Sequence, residues 1–173
     1  MSETKTKLRH DLVTKRQAMG FAEIDNKSQL VIKKLITDID WVKIRSAHIY
    51  KSVPAWKEVD TAPLIKFIED NYPLVKIVCP ESKQNAPMLK QRFDLIIVPV
   101  LGFDKDAHRI GLGGGWYDRF LSKQPQAQKI GLAYSWALTN SFPVEPHDIT
   151  LDKVITDSII IPHDSEANQN YKG

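Results

Sequence analysis

Cysteine occurs once in the 173 residues, as Cys79. A single thiol excludes an intramolecular disulfide framework and suits a reducing compartment. Long apolar runs are missing, so no segment approaches membrane-spanning length. The first twenty residues are polar and hold no apolar secretory core. A strong charge of one sign is absent as well: 24 Lys and Arg against 21 Asp and Glu leave a net charge of +3. That balance suits an anionic small molecule as well as nucleic acid, and only the basic N-terminal stretch hints at the latter. These absences lead us to expect a cytoplasmic monomer with no membrane partner and no nucleic-acid partner.

No repeat, low-complexity block or linker divides the chain, so 1–173 reads as one domain with a polar tail from about residue 163. A first helix covers KTKLRHDLVTKRQAM, with Leu8, Leu12 and Val13 on its apolar stripe and Lys5, Arg9, Lys15 and Arg16 elsewhere. A second spans Glu23 to Ile36, with Leu30, Ile32, Leu35 and Ile36 inward. Short apolar runs read as strands at Ala47–Tyr50, Val75–Cys79, Leu95–Val98, Ile130–Ala133, Val154–Ile155 and Ile159–Ile161. Between the first two lies a helix capped by Asp60 or Thr61, with Leu64, Ile65 and Ile68 inward. Cys79 reads as a small buried hydrophobe. The pattern predicts an α/β fold: a three-layer, open, mainly parallel, Rossmann-like sheet flanked by helices.

Glycine is sparse, 8 residues in all, yet Gly111, Gly113, Gly114 and Gly115 fall within five positions. They follow the best strand, Leu95-Ile96-Ile97-Val98, and precede a helix-compatible stretch, Trp116–Lys123. Glycines in that place expose backbone N–H groups to an anion at a helix start. Neither the P-loop nor the dinucleotide fingerprint is matched. On physics alone the turn is equally a phosphate cradle or a tight structural bend.

The wider stretch DLIIVPVLGFDKDAHRIGLGGGWYDRFL resembles the signature of the 5-formyltetrahydrofolate cyclo-ligase family: a strand ending in Pro, a G-F-D turn, then R-I-G-x-G-x-G-W-Y-D. Three further stretches are similar in order: Lys5-Thr6-Lys7-Leu8-Arg9 with Arg16, then Glu58-Val59-Asp60-Thr61, and Phe142-Pro143-Val144-Glu145-Pro146-His147-Asp148. The resemblance implies an enzyme that uses ATP and Mg²⁺ to close 5-formyltetrahydrofolate to the 5,10-methenyl form. By the same resemblance, Lys5, Arg9, Arg109, Gly111, Gly113, Gly114, Gly115, Trp116 and Tyr117 bind ATP. Arg109, Gly113 and Tyr117 act in catalysis, Asp118 and Asp148 hold the metal, and Glu58, Lys51 and Trp116 contact the reduced folate.

Each assignment has a plainer alternative in the residues themselves. Lys5 and Arg9 suit a solvated helix face, Asp118 a helix-dipole partner, Asp148 a turn and Glu58 a surface acid. Trp116 and Tyr117 suit core packing. His108 and His147 lack metal-ligand spacing and receive no role. Two departures from the pattern stand out: Glu81–Phe93 is short and lacks the family's E-P loop, and Pro54–Lys57 lengthens the approach to Glu58. Trp56 and Met88 are candidates to fill the missing wall. The alternative functions are a nucleotide-binding module without catalysis and a nucleic-acid binder.

Overall fold

The computed structural model describes residues 3–80 and 90–163. Met88, the shortened loop up to residue 89 and the tail beyond 163 lie outside the described residues. Twelve elements carry the argument: α1 (Glu3–Gln17), α2 (Phe21–Asp38), β1 (Ser46–Ile49), α3 (Ala62–Asn71), β2 (Lys76–Val78), β3 (Leu95–Pro99), β4 (Gly102–Phe103), β5 (Arg109–Ile110), α4 (Trp116–Leu121), β6 (Gln128–Leu132), β7 (Lys153–Ile155) and β8 (Ile160–Pro162).

Six strands form one sheet in the order β2-β1-β3-β6-β7-β8. The first five are parallel and β8 is antiparallel to β7, so the mainly parallel expectation is borne out. Alternation along each strand explains the layers. Ala47 and Ile49, Leu95 and Ile97, and Ile130 and Leu132 enter one apolar cluster with α2 and α3. Ile96, Val98 and Val154 enter the other with Phe120 and Leu121 of α4. Burial on both faces is why LIIV reads as an unbroken apolar run.

From β1 the chain passes through α3 to β2 on one side, whereas from β3 it passes through α4 to β6 on the other. The β1–β3 boundary is therefore the switch point of the doubly wound sheet, and ligand crevices form outside the carboxyl ends of such strands. Leu12 of α1 packs there, against Leu101, Ile110 and Phe142.

Several expectations need correction. Leu30 is 41% exposed, and Val31 takes its place in the core. Thr61 is the formal cap of α3, but its hydroxyl donates to the Tyr50 carbonyl at 2.7 Å; the Asp60 carboxylate accepts the Ala62 N–H instead. Cys79 is half-buried because β2 is the edge strand, and β4 pairs with β5 in a hairpin too short for periodicity to reveal.

His48 occupies a position the pleat forces toward α4. Its ring lies among Phe93, Trp116, Tyr117 and Phe120, 4.8 Å from Phe120, and neither nitrogen has a hydrogen-bond partner among the described residues. Burial pushes its pKa down to about 4. An unfolded chain then binds the proton that the folded chain refuses, so stability falls as pH drops from about 6.5 to about 4, by about 3 kcal/mol. We expect His48→Leu to flatten the melting temperature across that window; an unchanged acid slope would refute the assignment.

Candidate active site

A cleft of about 120 Å³ opens at the carboxyl ends of β1 and β3. Its floor is Pro99, Val100 and Leu101, one wall is the glycine turn, another is α1, and Glu58, Asp118 and Asp148 complete it.

The hairpin β4–β5 places Arg109 at the start of the turn. Gly113 has φ +100° and Gly115, the cap of α4, has φ +59°, backbone states that L side chains rarely adopt. Arg9 Nε donates to the Gly111 carbonyl at 2.8 Å, and Arg119 Nη2 donates to that of Gly114 at 3.1 Å. Two arginines thus fix the turn by its carbonyls. Among the described residues, the N–H groups of Leu112, Gly113, Gly114 and Gly115 donate no hydrogen bond. Because α4 has six residues, the expected helix dipole is a small contributor beside the unbonded amides and the cations that line the cleft.

The charges pair across the cleft. Lys5 Nζ donates to Asp148 Oδ2 at 2.5 Å, and that oxygen also accepts the Glu145 N–H. Burial opposes ionisation of Asp148, but Lys5, the Glu145 N–H and His147 outweigh it, and its carboxyl sits below the ordinary range. Arg109 Nη2 lies 2.7 Å from Asp118 Oδ1, yet off-line, so Arg109 Nε and Nη2 make no hydrogen bond among the described residues. Asp118 Oδ1 accepts the Ile149 N–H, tying α4 to the segment that carries Asp148. The Arg109 guanidinium also lies 5.7 Å from the Tyr117 ring centroid. Burial, then the charge of Glu58, raises the Tyr117 pKa, so its hydroxyl keeps its proton at neutral pH and can act only as a neutral hydrogen-bonding group.

Lys5 and Arg16 are each 5% exposed, Glu58 8% and Arg109 9%, which rules out a solvated helix face for Lys5 and a surface acid for Glu58. At about 100° per residue, Lys5, Arg9, Leu12 and Arg16 share an arc of about 60° on α1. The cations therefore belong to the buried face with Leu12, correcting the expected separation. The lengthened stretch before Glu58 forms a short 3₁₀ turn, Pro54–Trp56. Lys57 after it donates to the Gln17 and Met19 carbonyls, each at 2.6 Å, and Gln17 Nε2 donates to the Ala55 carbonyl. A cation on the last carbonyls of a helix is a favourable cap; here it clips α1 to the Glu58 loop.

Glu145, His147 and Asp148 each offer a ligand atom, all within 4.8 Å of one another. His147, given no role from its spacing, thus stands beside a candidate metal acid. Asp104, Asp106 and His108 form a similar group, but Asp104 spends its carboxylate on the Asp106 and His108 N–H groups and the His108 ring.

The model of the 5-formyltetrahydrofolate cyclo-ligase family matches residues 71–157. A curated 5-formyltetrahydrofolate cyclo-ligase of Mycoplasma pneumoniae is 30% identical over 165 residues, 88% of this chain and 98% of that protein. This chain belongs to the cyclo-ligase family.

The Escherichia coli cyclo-ligase is 41% identical over 69 residues, 38% of its own length. Among solved structures, a 5,10-methenyltetrahydrofolate synthetase from Mycoplasma pneumoniae aligns with TM-score 0.75 at 29% identity, covering 89% of this chain and 99% of that one. The Aquifex aeolicus synthetase shares the fold, with TM-score 0.74 at 24% identity and coverage of 92% and 93%.

Of the residues that the cyclo-ligase resemblance singled out, the cleft gathers Lys5, Arg9, Glu58, Arg109, the four glycines, Trp116, Tyr117, Asp118 and Asp148. Lys51 is exposed and outside the lining, and Trp56 is 40% exposed on the outer turn. Sequence reasoning gave no site role to Arg16, Glu145 or His147. The eleven-residue step from Lys5 to Arg16, close to three whole helical turns, was the signal for Arg16.

The Lys5–Asp148 contact anchors the N-terminal half of α1. We expect Asp148→Asn to cost about 1 kcal/mol locally, screened by partial exposure, and to speed amide exchange in the first two turns of α1 several-fold. Unchanged exchange there would show that the pair does not hold the helix.

Proposed function

We propose that this chain converts 5-formyltetrahydrofolate to 5,10-methenyltetrahydrofolate at the expense of ATP. The observation that carries the reading is the convergence in one cleft of four unbonded backbone amides, a buried guanidinium with unused N–H donors and two carboxylates. Such a seat complements a polyphosphate accompanied by a cation.

The ATP phosphates lie against the glycine turn, with Arg109, Arg9 and Lys5 around them. The formyl oxygen attacks the γ-phosphorus and ADP leaves. N10 then attacks the activated carbon, the C–O bond breaks, phosphate departs with the former formyl oxygen, and the N10 proton passes to solvent. Arg109 and the turn stabilise the charge that grows on the transferring group, and fixed donors of this kind need no reorganisation during the step. Glu58 accepts paired hydrogen bonds from the amino-pyrimidine end of the folate. Trp116, half-buried above His48, offers a flat face to the substrate ring. Tyr117 keeps its proton and steadies Arg109.

Carboxylate oxygens on Asp148 and Glu145, which lie within 4.8 Å of each other, and on Asp118, which lines the same cleft, match the hard oxygen ligands that Mg²⁺ prefers. Bound there, the metal would neutralise phosphate charge. The cleft is smaller than the several hundred Å³ of a ligand site, because the pairs Lys5–Asp148 and Arg109–Asp118 cross it. Ligand entry therefore exchanges partners: phosphate takes the cations as the carboxylates become free for the metal. A half-buried single cysteine and the absence among the described residues of any membrane-spanning helix fit a cytoplasmic setting.

Incubation with 5-formyltetrahydrofolate, ATP and Mg²⁺ is expected to raise the absorbance of the methenyl product. Chelation of the metal should abolish the signal and added Mg²⁺ restore it. Arg109→Lys keeps the charge but loses the fork, and kcat/KM should fall about 100-fold with the melting temperature little changed. No product from the wild-type chain with all reagents confirmed would overturn the reading.

A further inference from the structure

Arg16 has no part in the steps above, although it lines the same cleft and is 5% exposed. Its Nε has no hydrogen-bond partner among the described residues. A donor held away from water without an acceptor is costly, and native proteins keep few of them. Lys5 and Arg9 share the buried stripe of α1 but are committed, Lys5 to Asp148 and Arg9 to the Gly111 carbonyl. Arg16 stands eleven residues after Lys5, about 16 Å along the helix axis, and so serves the end of the cleft away from that pair.

Glu58 belongs to the same end. Lys57 Nζ donates to the Gln17 carbonyl at 2.6 Å, and Gln17 Nε2 donates to the Ala55 carbonyl at 3.0 Å. These bonds join the residue after Arg16 to the residue before Glu58. Two tyrosines fix the backbone on either side of the acid. Tyr50 donates its hydroxyl proton to the Val59 carbonyl at 2.8 Å, and Tyr134 donates to that of Lys57 at 3.1 Å. The corner is thus rigid, with a carboxylate beside a guanidinium N–H that no acceptor among the described residues answers. A ring that fits it presents donors and an acceptor side by side. The 2-amino-4-oxo pyrimidine of a reduced folate does so: the 2-amino group and N3–H donate, and the oxygen on the adjoining carbon accepts.

We propose that Arg16 donates to the 4-oxo oxygen of the folate ring and makes the site select 4-oxo over 4-amino pteridines. The inference rests on the assignment of Glu58 to the amino-pyrimidine end. Against a 4-amino ring the guanidinium meets another donor and its buried N–H stays unpaired. A site built around a hydrogen bond rejects the analogue that cannot make it.

The test is calorimetric titration of the whole chain with 5-formyltetrahydrofolate and with its 4-amino analogue. Exchange at that position also removes the N3 proton offered to Glu58, so the Arg16 variant, and not the wild-type preference alone, isolates the role of Arg16. Arg16→Met removes the donor and keeps an apolar stem of similar length. It is expected to weaken 5-formyltetrahydrofolate about tenfold or more while leaving the 4-amino analogue within about threefold. In turnover the loss should fall on KM, with kcat within about threefold and the affinity for ATP within about twofold. Arg16→Lys keeps a donor and should recover part of the loss; should Arg16→Met fail to fold, the lysine variant carries the same comparison with a smaller step. Equal losses for the two ligands, an unchanged affinity for 5-formyltetrahydrofolate or a joint loss of ATP affinity would overturn the proposal. If the wild-type chain binds and turns over the reduced folate while the two ligands respond alike to the variant, only the role of Arg16 falls. If it neither binds nor turns over the reduced folate, the assignment of Glu58 falls with it.

Discussion

The cleft is held together by opposite charges that are too buried to be left alone. Lys5 meets Asp148 and Arg109 meets Asp118. Each removal from water is costly, and each partner offsets the other. The consequence is a site whose internal contacts are interchangeable with those of a charged ligand. In the proposed reaction Lys5 and Arg109 trade a carboxylate for a phosphate, and Asp118 and Asp148 trade a cation for a metal. Binding energy is then spent on exchange and not on desolvating bare charges.

The fold makes that arrangement possible at modest expense. The sheet's switch point leaves a crevice between β1 and β3 before any side chain is considered. The helix α1 lies across it, seated by Leu12 on Leu101, Ile110 and Phe142. Polar contacts hold α1 at both ends, Lys5 on Asp148 at the start and Lys57 on the last carbonyls at the finish. Arg9 on the Gly111 carbonyl pins its middle to the glycine turn. A helix whose buried face carries three cations would be unstable in isolation, and it persists because the site supplies partners for Lys5 and Arg9.

Much of this was legible in the letters. The fully covered strand Leu95–Val98 and the glycine cluster stood out in the residues themselves, whereas the acids at 118 and 148 were singled out by the resemblance to the cyclo-ligase family. Harder to see were features that depend on three dimensions. Arg16 looks like any basic helix residue until its phase relative to Lys5 and Arg9 is matched to what lies above. His147 acquires neighbours only when the 142–148 segment bends back, through the Glu145 N–H to Asp148 contact. Val31 and Leu30 exchange places because helix phase is set by packing of the whole element, and a strand of two residues, such as β4 or β5, has no period to read. His48 is a local contradiction: an imidazole in an aromatic cage that no pattern would predict.

The account turns on partner exchange in the cleft, and a calorimetric titration of ATP with and without Mg²⁺ addresses it directly. With metal to occupy the displaced carboxylates, ATP should bind at least tenfold more tightly than without it, and Arg109→Lys should erase most of that advantage. Equal affinity in the two conditions, or no binding in either, would mean that the pairs across the cleft are permanent braces and that the seat is built for something else.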